Sequence, residues 1–430
     1  MDVRLAPGTY TITARDAKAG KWGVHGFEKD RCISIFLFEG SGSTYDFTGV
    51  TINVETKVYS SLGKFDVRIL QIQGNHNVIK NLSLHDVGSV NDAPRTRATN
   101  VVMDGKNNRI EGLTMTVMGA YPYGYGELFG KGGKNIIRHR KHSAFLIRGL
   151  ANHALNCTID HQSYGHAIFM QAADQPVIEG CKVTGQMRST NDVLAEKGTG
   201  SDADKADFMT YFGYPVPPDY MICLGEAGIR AYNAGTTWID GKIIKRGTSN
   251  VTVLDSTIIN MRAGCTLAHA RGKKYVRGVT VRGCSQGFSI GSGDIVDCYA
   301  DIQYGPALGF AYDRDKGVNA EITILPHEGE TVNGTGHAAF IMGVNHKIIL
   351  KSEIQDPGQK FVVRVGGFKN HIGGQAREKG PAKAVNIQLN NQTGFPVILE
   401  PTSESCTVQS VGPVDSRGKG NKVKTVRNRR

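Results

Sequence analysis

Ile178-Glu179-Gly180-Cys181-Lys182-Val183 is one copy of a short pattern that returns along the chain. An apolar residue, a polar one and then Asn, Gly or Asp precede an apolar–polar–apolar triplet. Further copies are Ile79-Lys80-Asn81-Leu82-Ser83-Leu84, Ile110-Glu111-Gly112-Leu113-Thr114-Met115 and Ala154-Leu155-Asn156-Cys157-Thr158-Ile159. Later ones begin at Leu254, Val276 and Ile295. Where copies follow closely, they start 24, 22 and 19 residues apart (154 to 178, 254 to 276, 276 to 295). That interval fits one coil of a β-solenoid and is too short for a propeller blade.

Alternation within the triplet means that each strand buries one face. A second strand column precedes the first in each coil, as Ala144-Phe145-Leu146-Ile147, Ala167-Ile168-Phe169-Met170, Gly228-Ile229-Arg230-Ala231 and Phe288-Ser289-Ile290. Hairpin signals of the Asn-Gly kind hardly occur, which argues against a β-sandwich. The pattern predicts an all-β chain, a right-handed parallel β-helix with loop insertions, forming one domain over residues 1–416. Ile79, Ile110, Ile178 and Val276 are expected to stack inward, with parallel ladders from about Ile69 to Leu399.

The chain has 430 residues, 40% of them hydrophobic, and a net charge of +12. Seven of the positive charges fall in residues 417–430, which read as a basic, disordered tail. Nucleic-acid binding would place bases on a folded face with interleaved aromatics, so no nucleic-acid partner is expected. No apolar run approaches the roughly 18 residues of a membrane span, and no signal-peptide stretch follows Met1. The eight cysteines make no zinc-like spacing and read as small buried residues. The expected form is a monomer.

Solenoids carry function on insertions. One runs from about Val117 to Lys141 and the other from about Gln186 to Ile222, and together they are expected to wall a groove. The strands between them carry unusual polar residues. Stacked strands lie about 4.8 Å apart. Side by side, His142, Tyr164 or His166, and Glu226 would share one stripe, and Arg148, Gln171, Arg230 and Tyr232 a second. His161 and Lys141 are near in sequence. Convergence of polar groups between two insertions marks the candidate site.

Gly165-His166-Ala167-Ile168, the coil repeats and the sequence pI of 9.2 resemble the parallel β-helix polysaccharide lyases. Within that group, Tyr164 followed by a lysine in the next large insertion resembles the alginate lyases of polysaccharide lyase family 31. The resemblance implies β-elimination from a polyuronate, with a Tyr/Lys pair as acid and base. It also implies a secreted or periplasmic setting. Tyr164 is then the acid and Lys197 or Lys205 the base. His142 and His166 orient the Tyr or the substrate, and one of Arg148, Arg188 and Arg230 neutralises the uronate carboxylate. The chemistry needs such a cation, because the C5 proton is acidic only when the adjoining carboxylate is neutralised.

Three rival readings arise. A β-helix glycoside hydrolase needs paired carboxylates, and Asp202, Asp204 and Asp207 form only a loose cluster. A uronate epimerase is echoed by Leu325-Pro326-His327-Glu328, without the leading Asp. A glycan-binding adhesin or tailspike would lack a compact acid/base cluster. No metal or cofactor is required, with a calcium-dependent lyase acting through Glu226, Glu196 and Asn191 as the alternative.

Overall fold

The computed structural model describes residues 5–27, 31–131, 133, 135–355, 360–367 and 382–426. Their strands wind into a parallel β-helix. One continuous ladder runs through Ile79, Ile110, Ala154, Ile178, Val253, Val276, Ile295, Ala320, Ile348, Leu389 and Val408, each paired with the next. A second runs through Ile52, Leu84, Met115, Ile159, Val183, Ile258 and Val281. All of these side chains are buried in one core. The four residues expected to stack inward do so.

The corner between these two ladders explains the sequence pattern. Asn81, Gly112, Asn156, Gly180, Asp255, Gly278 and Asp297 all have φ between +46° and +67°. Left-handed backbone is open to Gly and tolerated by Asn and Asp, so the third position of the pattern accepts only these. From Val318–Ile324 onward the corner is lost, and Asn319 to Ile324 pairs straight along Lys347–Ser352.

The third column faces the insertions. It includes Asp66–Ile72, Ala98–Met103, His142–Leu150, Ile168–Asp174, Gly225–Ala231, Met261–Thr266 and Phe288–Ser289. These pair in parallel, with Phe145 beside Ile168, Ile168 beside Ile229 and Ile229 beside Cys265. All eight cysteines are buried and none is in a disulfide.

The basic stretch after Asp415 differs from the expected disordered tail. Lys422–Thr425 is a strand that pairs with Thr407–Ser410. The Lys422 amide donates to Cys406 O at 2.8 Å, and the Val426 amide to Ser410 O at 2.9 Å. Charge did not prevent this, because the ladder is made by backbone groups while the lysine heads stay in water. Residues 427–430 lie outside the described residues.

Ile110 tests the ladder. It is 2% exposed and sits between Ile79 and Ala154. Ile110→Ala is expected to cost about 2–5 kcal/mol, read as a lowered denaturation midpoint. A shift within error would mean that the ladders do not bear the stability.

Candidate functional site

The two insertions pack on each other before they pack on the coils. Leu128, Phe129, Val193, Ala203, Val216, Ile222 and Leu224 form a small core of their own. The Tyr121 hydroxyl donates to Asp202 at 2.9 Å, and the Tyr125 hydroxyl to Glu196 at 2.6 Å. Short helices Thr190–Leu194 and Asp202–Lys205 stiffen the second insertion. The result is a wall beside the third column, enclosing a groove of about 1530 Å³. The expectation that both insertions flank one groove is met.

The floor of the groove is the outward face of the third column. Val102, Leu146 and Phe169 pack together there, with Tyr232 against them. Beside this apolar patch sits a polar cluster. Lys141 Nζ donates to Glu226 Oε1 at 2.7 Å. His166 Nε2 lies 2.6 Å from the Tyr232 hydroxyl and 3.3 Å from Glu226 Oε2. His166 Nδ1 accepts the Ala227 amide at 3.2 Å, which places the ring proton of the neutral imidazole on Nε2. Gly165 makes this arrangement possible, because a Cβ there would meet His142 O at 2.1 Å.

Electrostatics sets the protonation of the cluster. Burial pushes His166 down to about 3, so it is neutral near pH 7. Burial alone would raise the Glu226 carboxyl, but the charges around it hold it well below the usual range. With His166 neutral, Lys141 and Arg262 supply that effect. Burial raises the Tyr232 phenol, and the Glu226 charge raises it further, so Tyr232 keeps its proton.

The groove lining is strongly basic. Eleven lysines and arginines line it, against the carboxylates Asp66, Asp202 and Glu226. Asp66 is paired with Arg97 at 2.7 Å, Asp202 accepts from Tyr121, and Glu226 holds Lys141. The arrangement suits a polyanion. Its buried carboxylate, Glu226, is held low, the opposite of the raised carboxylic acid that a hydrolase needs.

The residues expected from sequence fall into two groups. His166, Glu226, Tyr232, Arg148, Gln171 and Lys205 line the groove. Arg148 Nη1 lies 3.8 Å from Asp104, and Lys205 is mostly exposed. The others lie elsewhere. His142 is fully buried on the inner side of its strand, bonded to Asn100 and to Met118 O. Tyr164 is 1% exposed and stacks on His139, with ring centroids 3.7 Å apart. Its hydroxyl lies beside Glu226, behind the groove surface, and burial followed by that charge holds it well above the ordinary phenol range. His161 is also fully buried.

Lys197 is exposed on the far insertion and does not line the groove. Arg188 is taken up by Glu196 at 2.5 Å and by Gly124 O at 3.2 Å. Arg230 lies one step along the coil face, in a neighbouring cavity. Glu196 and Asn191 do not join Glu226, since Asn191 bonds Asp219 and Glu196 bonds Arg188. His327 bonds Thr331 at 2.9 Å and lines neither cavity. Sequence reading gave Lys141 no role, although it ends the first insertion. It also missed Arg68, Arg97, Arg138 and Arg140 on the groove wall.

No family model and no curated protein matches the chain. Among solved structures it is similar to an alginate lyase in complex with G6. That pair is 10% identical over 98% of this chain and 85% of the other, with a TM-score of 0.37. It is also similar to a PL6 alginate lyase in complex with a trisaccharide. Here identity is 10% over 96% and 84% of the two chains, and the TM-score is 0.40. The catalytic domain of a GH87 α-1,3-glucanase in complex with nigerose is 10% identical over 99% and 69%, with a TM-score of 0.30. Likeness at this level says nothing of the reaction.

Proposed function

We propose that the protein cleaves an acidic polysaccharide by β-elimination, with a polyuronate such as alginate as substrate. The observation that carries this reading is the basic groove, with a phenol, an amine and a neutral imidazole on its floor. Arg148 and Arg140 neutralise the uronate carboxylate next to C5. Lys141, paired with Glu226 in the resting groove, takes the C5 proton after releasing its own. Tyr232 gives its proton to the departing glycosidic oxygen, and His166 Nε2–H hydrogen-bonds the phenolate that forms. The C5–H and C4–O bonds break, a C4=C5 double bond forms, and no water is consumed. Tyr232 and Lys141 thus take the Tyr/Lys roles first sought at Tyr164 and Lys197 or Lys205. A polymer of this kind is met outside the cytoplasm, and we place the protein there.

Incubation with a panel of polyuronates tests the reading. Appearance of the conjugated ultraviolet chromophore supports it. New reducing ends without the chromophore mean hydrolysis, and binding without cleavage means an adhesin.

A further inference from the structure

The outward row that forms the groove floor continues beyond it. Phe169 pairs with Arg230, Arg230 with Thr266, and Thr266 with Ser289. The step from a large side chain to Thr and Ser hollows the coil face. A second cavity of about 380 Å³ opens there, with Arg230, Arg262, Gln286 and Tyr312 around Thr266 and Ser289. Arg230, which lines it, holds its guanidinium 5.0 Å over the ring of Tyr232, which lines the first groove.

Some polar atoms of this second cavity, Ser289 Oγ and Arg230 Nε among them, have no hydrogen-bond partner among the described residues. Ser289 is 2% exposed, and its hydroxyl has no hydrogen-bond partner among the described residues. A buried hydroxyl left in that state costs about 1–3 kcal/mol. Arg230 Nε is also buried without a partner. Its two Nη atoms reach neutral groups, Thr266 Oγ1 and His269 Nδ1, both at 3.4 Å. Among the described residues no carboxylate lies within ion-pair distance of Arg230, whereas Arg262 has Glu127 at 3.5 Å. A half-buried guanidinium without a carboxylate partner is open to an anion from outside.

We propose that this second cavity is a carboxylate-binding subsite for a sugar unit remote from the cleaved bond. Arg230 clamps the carboxylate with its planar fork, and Ser289 and Thr266 hydrogen-bond the same unit. This rests on the polyuronate reading above. It gives the enzyme a longer footprint than the catalytic cluster alone, since Arg230 to Ser289 spans two coil steps, about 10 Å. Oligosaccharides long enough to enter the cavity bind more tightly, and their carboxyl-reduced counterparts gain nothing.

The test is calorimetric titration of alginate oligosaccharides of graded length into the full chain. The wild type is compared with Ser289→Met, which fills the hollow, and Thr266→Val, which removes one hydroxyl at nearly constant volume. Circular dichroism checks that each is folded. The expected result is an affinity loss of about tenfold for long oligosaccharides in Ser289→Met. A smaller loss is expected in Thr266→Val, and no change for the shortest oligosaccharide. Equal affinity of folded variants and wild type at every length overturns the subsite, while chromophore formation by the wild type shows the lyase reading intact. No binding of any uronate to the wild type overturns both.

Discussion

Tyr232→Phe is expected to lower kcat by about 10²–10⁴, the usual loss when a positioned acid is removed. Only the hydroxyl is lost, so the ring still packs on Leu146 and Phe169. Tyr164→Phe is expected to keep near-normal turnover, since that phenol lies behind the groove surface. Lys141→Met should lose as much as Tyr232→Phe, and Lys197→Ala almost nothing. Steady-state rates on a polyuronate check each point. If Tyr164→Phe fails and Tyr232→Phe does not, the roles return to Tyr164.

Acid is expected to unfold the solenoid well above the range where carboxylates titrate. Burial holds His139 and His161 at about 4, and His142 and His166 at about 3, against 6.5 for a free imidazole. Between pH 6.5 and about 4 the unfolded chain binds protons that the folded chain refuses. Stability therefore falls as pH falls through this window, by about 1.4 kcal/mol per pH unit for each such histidine. Asp86 works the other way. Its carboxyl is fully buried and raised to about 7, so it takes a proton in the fold first and offsets one histidine. Glu226, held low, adds its own loss only below the unfolded carboxylate range. Denaturant midpoints at pH 7.5 and 4.5 measure the slope, and His161→Asn should reduce it by one proton. A midpoint independent of pH would show that these rings are not held neutral.

The coils were legible because a single stereochemical demand, left-handed backbone at the corner, restricts one position to Asn, Gly or Asp. The site was legible only in part, and the strand phase shows why. Leu146 and Arg148 face outward, so strict alternation would put Ala144 and His142 outward as well. Instead Ala144 and Phe145 both enter the core, and the phase slips. Ser143 then faces the groove and His142 the interior. Counting by two cannot see such a slip. The same double inward step at Ala167 and Ile168 leaves His166 on the groove side. Lys197 failed for another reason. Its loop folds through two short helices whose direction no local pattern announces, whereas Arg140 and Lys141 are fixed by the strand they lead into.

A stack of parallel coils has two raw faces, and either could seed end-to-end growth into fibres. One is closed by the helix Ala14–Lys18, which buries Ala17, with Trp22 packed on the core nearby. At the other, the strand Lys422–Thr425 is exposed along its whole length. It presents Lys422 and Lys424, so two copies meeting there would set like charges against each other. Among the described residues this strand is paired along one edge, and its lysines oppose pairing of the other edge with a second copy.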